Sequence, residues 1–153
     1  MKSEQINPFL QALVTVLGQF GLQPVNKGAM QLKSGLTIDK EVTTVLGLVG
    51  ELQGNVAYSL AKSTALQLAS TMMMGMPVAE LDEMAQSAIS EFSNMVTGTA
   101  ASYFSEQGVK LDISPPSLIM GDNLLMSVSS ATTVAITMQT PVGDIEVNIA
   151  FVA

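Results

Sequence analysis

Hydrophobic positions along the chain change their period several times, and each change predicts an element. Residues 6–20 (INPFLQALVTVLGQF) are apolar almost all round, apart from a stripe of Asn7, Gln11, Thr15 and Gly18. That pattern predicts a largely buried first helix, with Ser3 or Asn7 as cap, Pro8 in its first turn and Gly21 as its stop. From about 23 to 61 the pattern becomes β-branched and short-period, and segments 41–50 and 52–61 predict a hairpin. A short helix follows over 63–74, with Thr64 and Gln67 spaced as a capping box and Gly75 as its end. Met72, Met73 and Met74 are expected to fill core or interface gaps, because methionine adapts to irregular spaces. After Pro77, helical periodicity runs from about 79 to 106, opening on Glu80, Asp82 and Glu83 and closing at Gly108. Strand signals return at 111–121, 123–130, 132–139 and 143–153, with turn residues between them. In the last segment Asp144, Glu146 and Asn148 alternate with Ile145, Val147 and Ile149, so one face should be buried.

These elements predict one α/β (α+β) domain over 1–153: two long helices and a short one packed on an antiparallel-rich sheet. Sliding residue 7 onto 87 sets Asn7, Gln11, Val14 and Gly18 opposite Ser87, Glu91, Asn94 and Gly98. The offset of the two helices points to a pseudo-twofold arrangement. On the long helix Ser87, Glu91, Asn94 and Gly98 fall on one narrow stripe, set apart from an apolar face that includes Ala85, Ala88, Phe92, Val96 and Thr99. Gly98 costs roughly 1 kcal/mol inside a helix relative to Ala, and close approach of another backbone is one candidate compensation. By itself, the stripe also fits an ordinary solvated helix face.

Composition narrows the chemistry. The chain has 153 residues, no Cys and no His, and its six basic residues are all Lys. Thiol nucleophiles, Ser-His-Asp triads, and zinc sites built on Cys or His are therefore excluded, as are bidentate arginine phosphate clamps. No calcium-loop pattern occurs, and no bound metal is expected. The net charge of −7 argues against nucleic acid and weakly favours a partner with a positive surface. No stretch approaches the ~18 apolar residues of a membrane span. The first residues, MKSEQINPF, lack an apolar signal core, so a cytoplasmic location is expected.

The spacing Ser87-x3-Glu91-x2-Asn94-x21-Pro116 resembles the active-site pattern of the CheC/CheX/FliY phosphatases of bacterial chemotaxis. INPF at 6–9, GNVAYSL at 54–60, LDEM at 81–84 and DISPPS at 112–117 are similar to the CheX branch in particular, so the resemblance spans nearly the whole chain. It implies a CheC/CheX-like fold and hydrolysis of the phosphoaspartate of a CheY-type response regulator. Carried over by position, Glu91 would pair with a lysine of the regulator and Asn94 would orient the attacking water. Ser87 and Pro116 would support the site, as would Gly98 on the same stripe. Mg²⁺ is expected on the regulator, with no cofactor bound by this chain. Gln11 and Val14 depart from the pattern, which implies one site per chain. A homodimer formed by continuation of the sheet is implied as well, with 143–152 as one candidate edge. The alternative is a non-catalytic module of the same fold that docks a regulator or a flagellar switch component. A purely structural dimerisation domain is a third reading, and it leaves the stripe unexplained.

Overall fold

The structure is a computed structural model describing residues 2–152. Its elements are α1 (Ser3–Gln19), β1 (Asn26–Lys33), β2 (Leu36–Ile38), β3 (Val42–Gly50), β4 (Gly54–Leu60), α2 (Lys62–Met72) and α3 (Glu83–Glu106), then β5 (Leu111–Ile113), β6 (Ser117–Met120), β7 (Met126–Ser129), β8 (Thr133–Thr140) and β9 (Gly143–Phe151). The main sheet runs β1-β8-β9-β4-β3, and β5 and β6 both pair with β3 along its far side. Every pairing is antiparallel. Read from either end the order is equivalent: β1 answers to β5/β6, β8 to β3, β9 to β4, and α1 to α3. The pseudo-twofold arrangement is thus a property of the topology.

The sheet is covered on both faces. Side chains such as Leu46, Val56, Val147 and Ile149 join Phe9, Leu13, Phe92, Val96 and Phe104 of the two long helices in the main core. Phe9 and Phe104 meet edge-on at 5.4 Å, and Thr15 Oγ1 lies 2.8 Å from the Tyr103 hydroxyl, so α1 and α3 are locked together. On the opposite face β2 and β7 form a small two-stranded sheet, whose Leu36 and Ile38 pack with Ala57 and Ala150. Asn148 is therefore buried rather than solvated. Its Nδ2 donates to Glu146 Oε1 at 3.1 Å, and Glu146 faces Lys33 and Lys40 at 3.8 and 3.9 Å.

Several expectations are corrected. Segment 143–152 is not an edge: β9 sits between β8 and β4, and the sheet ends at β1 on one side and at β5 and β6 on the other. Helix α1 starts earlier, with Lys2 as cap residue, and Lys2 N donates to Gln5 Oε1 at 3.1 Å. Asn7 is therefore helical, and Pro8 lies buried in the second turn, where only the Glu4 carbonyl loses a partner. The Thr64–Gln67 box is not made: Thr64 is buried, and the Lys62 amide is met by Glu41 Oε1 from across the fold at 3.0 Å. Helix α3 begins at Glu83, because the Asp82 carboxylate caps it by accepting from Ala85 N at 2.9 Å, a bond worth about 1 kcal/mol. Residues 111–121 break into β5 and β6 around Pro115 and Pro116, and the 123–130 strand is only Met126–Ser129. Met72 does pack on the core, whereas Met74 is 97% exposed with φ 61°. Among the described residues no helix is long and apolar enough to cross a membrane.

Candidate functional site

An open cleft of about 390 Å³ lies between α3 and the strand break, lined by Ser87, Ser90, Glu91, Asn94, Ile113, Ser114, Pro115 and Pro116. All four positions of the sequence pattern converge there, although 21 residues separate Asn94 from Pro116. Ser87, Glu91 and Asn94 are exposed on α3. Among the described residues, no hydrogen bond or ion pair engages the Glu91 or Asn94 side chain, and no lysine lines the cleft. A carboxylate and an amide are thus presented together with their bonding capacity free. Such a pair can take a cation from outside and orient a water molecule. A larger concavity, about 690 Å³, is lined by Gln5, Ser129, Ser130, Ala131, Thr132, Phe151 and Val152. It contains no ionisable side chain. Among the described residues no three Asp or Glu side chains converge as a metal cage.

The face of α3 opposite the stripe is buried by Ile89, Phe92, Val96, Ala100 and Phe104, together with two hydroxyl residues, Ser93 and Thr97. Ala88 and Thr99, assigned to the apolar face from sequence, are only half-buried. The hydroxyls explain the rotation. Ser93 Oγ donates to Ile89 O at 3.1 Å and lies 2.5 Å from Thr44 Oγ1 of β3. Thr97 Oγ1 donates to Ser93 O at 2.8 Å and lies 2.8 Å from the Tyr58 hydroxyl of β4. Ser93 carries one proton and gives it to the Ile89 carbonyl, so Thr44 donates to Ser93. Burial pushes the Tyr58 hydroxyl well above its ordinary 10.0, which the Thr97 contact only partly opposes.

The second wall is fixed by β3 as well. Ser114 N donates to Gly47 O at 2.9 Å, and Gly47 N donates to Ser114 Oγ at 2.7 Å. This two-way bond holds the break that carries Pro115 and Pro116, whose nitrogens have no proton for the ladder. Gly98 stands on the stripe beyond the cleft lining, and a Cβ there would meet nothing within 4 Å in the chain. Among the described residues no other backbone approaches it, so the compensation considered from sequence does not come from within the chain. The sequence reading missed Ser90, Ile113, Ser114 and Pro115. The Ser-Pro-Pro triplet interrupting a strand pattern was the available signal for the last two.

Residues 42–139 match the family model described as Chemotaxis phosphatase CheX. A CheY-P phosphatase CheX of Thermotoga maritima is 36% identical over 110 residues, covering 72% of this chain and 70% of that protein. The crystal structure of a chemotaxis protein CheX from Desulfovibrio desulfuricans superposes with a TM-score of 0.86 at 26% identity, over 97% of this chain and 99% of that one. A CheX in the CheX–CheY–BeF3–Mg²⁺ complex from Borrelia burgdorferi superposes with a TM-score of 0.79 at 27% identity, over 97% of each chain. The fold agrees with these likenesses, and the chain belongs to the CheX family of chemotaxis phosphatases.

Proposed function

We propose that this protein hydrolyses the phosphoaspartate of a CheY-type response regulator, and that Asn94 and Glu91 carry the reaction. The observation that bears most weight is the convergence of an unpaired Glu91 and Asn94 with Pro116 at one open cleft. An acyl phosphate is already reactive, so its hydrolysis needs positioning and charge stabilisation more than a nucleophile. The Asn94 amide oxygen accepts a hydrogen bond from water and aims it in line with the scissile bond. The water oxygen bonds to phosphorus as the bond to the aspartate oxygen breaks. A water proton leaves with phosphate or solvent, and the regulator's carboxylate is regenerated. Glu91, exposed on the same stripe, pairs with a lysine of the regulator and fixes the depth of entry. Ser87 and Pro116 flank the pair, and Mg²⁺ belongs to the regulator. The reaction takes place where the regulator works, in the cytoplasm.

The test is loss of phosphate from phosphorylated CheY-type regulators of the same organism. Wild type accelerates it, and Asn94→Ala lowers the rate about 100-fold while binding changes only slightly. No acceleration for any of those regulators would favour the docking-module reading.

A homodimer joined at β1 is part of the same reading. This edge leaves its backbone groups unpaired on one side, with Met30 59% and Leu32 71% exposed. Leu32→Lys should convert a dimer into a monomer, as read by light scattering. A wild-type protein that is already monomeric would dispose of the dimer.

A further inference from the structure

Both walls of the cleft hang from the same strand. Thr44 on β3 bonds Ser93, the residue before Asn94 on α3. Three residues along the strand, Gly47 bonds both the amide and the hydroxyl of Ser114, which introduces Pro115 and Pro116. Between them, Val45 pairs with Ser117 of β6. Ser93 and Thr44 are 1% and 0% exposed, so water offers neither an alternative partner. Apolar contacts alone let a helix roll on a sheet at little cost, because the hydrophobic effect is non-directional. A buried hydroxyl pair does not, since a roll that breaks it leaves unsatisfied polar groups.

We propose that the Thr44–Ser93 pair is a positioning device for the dephosphorylation reaction. It fixes the rotation of α3 about its axis, and thereby the distance and aim of Asn94 relative to the Pro116 wall. This inference rests on the assignment of Asn94 as the water-orienting residue and extends it to residues that touch neither water nor regulator. The direction of the protons supports the role. Thr44 donates to Ser93, and Ser93 donates to the Ile89 carbonyl, so the tie runs from the strand through the side chain into the helix backbone. Ser93 and Asn94 are adjacent, so a small rotation at one is a displacement at the other. Misplacements of about 1 Å can cost a reaction of this kind up to two orders of magnitude.

The experiment measures kcat and KM for a phosphorylated regulator, per mole of folded protein, for Ser93→Ala, Thr44→Val and Ser93→Thr. Each of the three is also made in the Asn94→Ala background. Circular dichroism and thermal unfolding report folding, and Thr44→Val keeps the shape of the strand residue should Ser93→Ala fold poorly. The expected result is a drop in kcat of about tenfold for Ser93→Ala and Thr44→Val, with KM within twofold. Ser93→Thr keeps the hydroxyl and should hold kcat near wild type. In the Asn94→Ala background none of the three should lower the residual rate further. The proposal is overturned if kcat is unchanged while only Tm falls, or if the same tenfold loss appears without Asn94. Loss at Asn94→Ala with full activity at Ser93→Ala and Thr44→Val would remove the positioning device alone. Full activity at Asn94→Ala would remove the site assignment beneath it.

Discussion

Helices α1 and α3 occupy equivalent places in the pseudo-twofold fold, yet only one faces a cleft with chemistry in it. On α3 the stripe reads Ser87, Glu91, Asn94 and Gly98, and on α1 the same turns carry Asn7, Gln11, Val14 and Gly18. The larger difference lies in the strands. Beside α3 the outer strand is broken by Ser114, Pro115 and Pro116, and the break forms a wall. In the other half the outer strand is β1, eight residues long with a register shift between Lys27 and Met30. The position 80 residues before Pro116 is Leu36, which is 1% exposed in the second core. On the proposed site, an active half needs two departures from the common plan: polar residues on the helix and an interruption in the strand beside it.

Four variants sharpen this contrast, from the largest effect to the smallest. Glu91→Ala should raise the apparent KM for phosphorylated regulator about tenfold, because the regulator's lysine loses its partner; an unchanged KM would remove Glu91 from docking. Gly98→Ala should stabilise the chain by up to about 1 kcal/mol in urea denaturation, since the new methyl meets nothing within 4 Å. If the same variant binds regulator more weakly, the partner's backbone is what comes close at Gly98. Gly18→Ala should gain less, because its Cβ would sit 3.0 Å from Gln23 Nε2 and that side chain must shift. The double change Gln11→Glu with Val14→Asn copies the α3 pair onto α1. It should leave phosphatase activity as it was, because α1 has no proline wall, and a second functional site would refute the two-departure rule. The Tyr58 hydroxyl gives an independent check on the base of α3. Its proton affinity is raised in the folded chain, so the stability it contributes is fully present below about pH 10 and falls as pH rises further. Tyr58→Phe should remove that alkaline loss, as followed by unfolding at pH 9 to 11.

The sequence carried the element types and the site pattern for physical reasons that are local. Glu91 and Asn94 lie three apart on a helix, and that spacing alone sets them side by side. Gly21 and Gly108 end their helices with φ of 75° and 79°, values that glycine adopts without strain. What escaped the reading depends on partners distant along the chain. The Lys62 amide is capped by Glu41, 21 residues earlier, so the local Thr64–Gln67 pattern misled. Ser93 and Thr97 are polar yet buried, and their bonds to Thr44 and Tyr58 help make them tolerable in the core. The edge was misassigned because alternation along β9 says nothing about neighbours. Asn148, the polar member of that alternation, is buried because β2 and β7 cover the face that periodicity left to water.

The openness of the α3 cleft has a metabolic consequence. Glu91 and Asn94 are exposed, and no positive group of the chain lines the cleft to hold a phosphoryl group. A small acyl phosphate such as acetyl phosphate would find nothing here to hold it. On the proposed mechanism the catalyst is completed only when a protein of the right shape brings its own lysine and metal. A cell can therefore keep this phosphatase at high concentration without draining its pool of soluble phosphodonors. The brake acts on the signal and leaves the fuel alone.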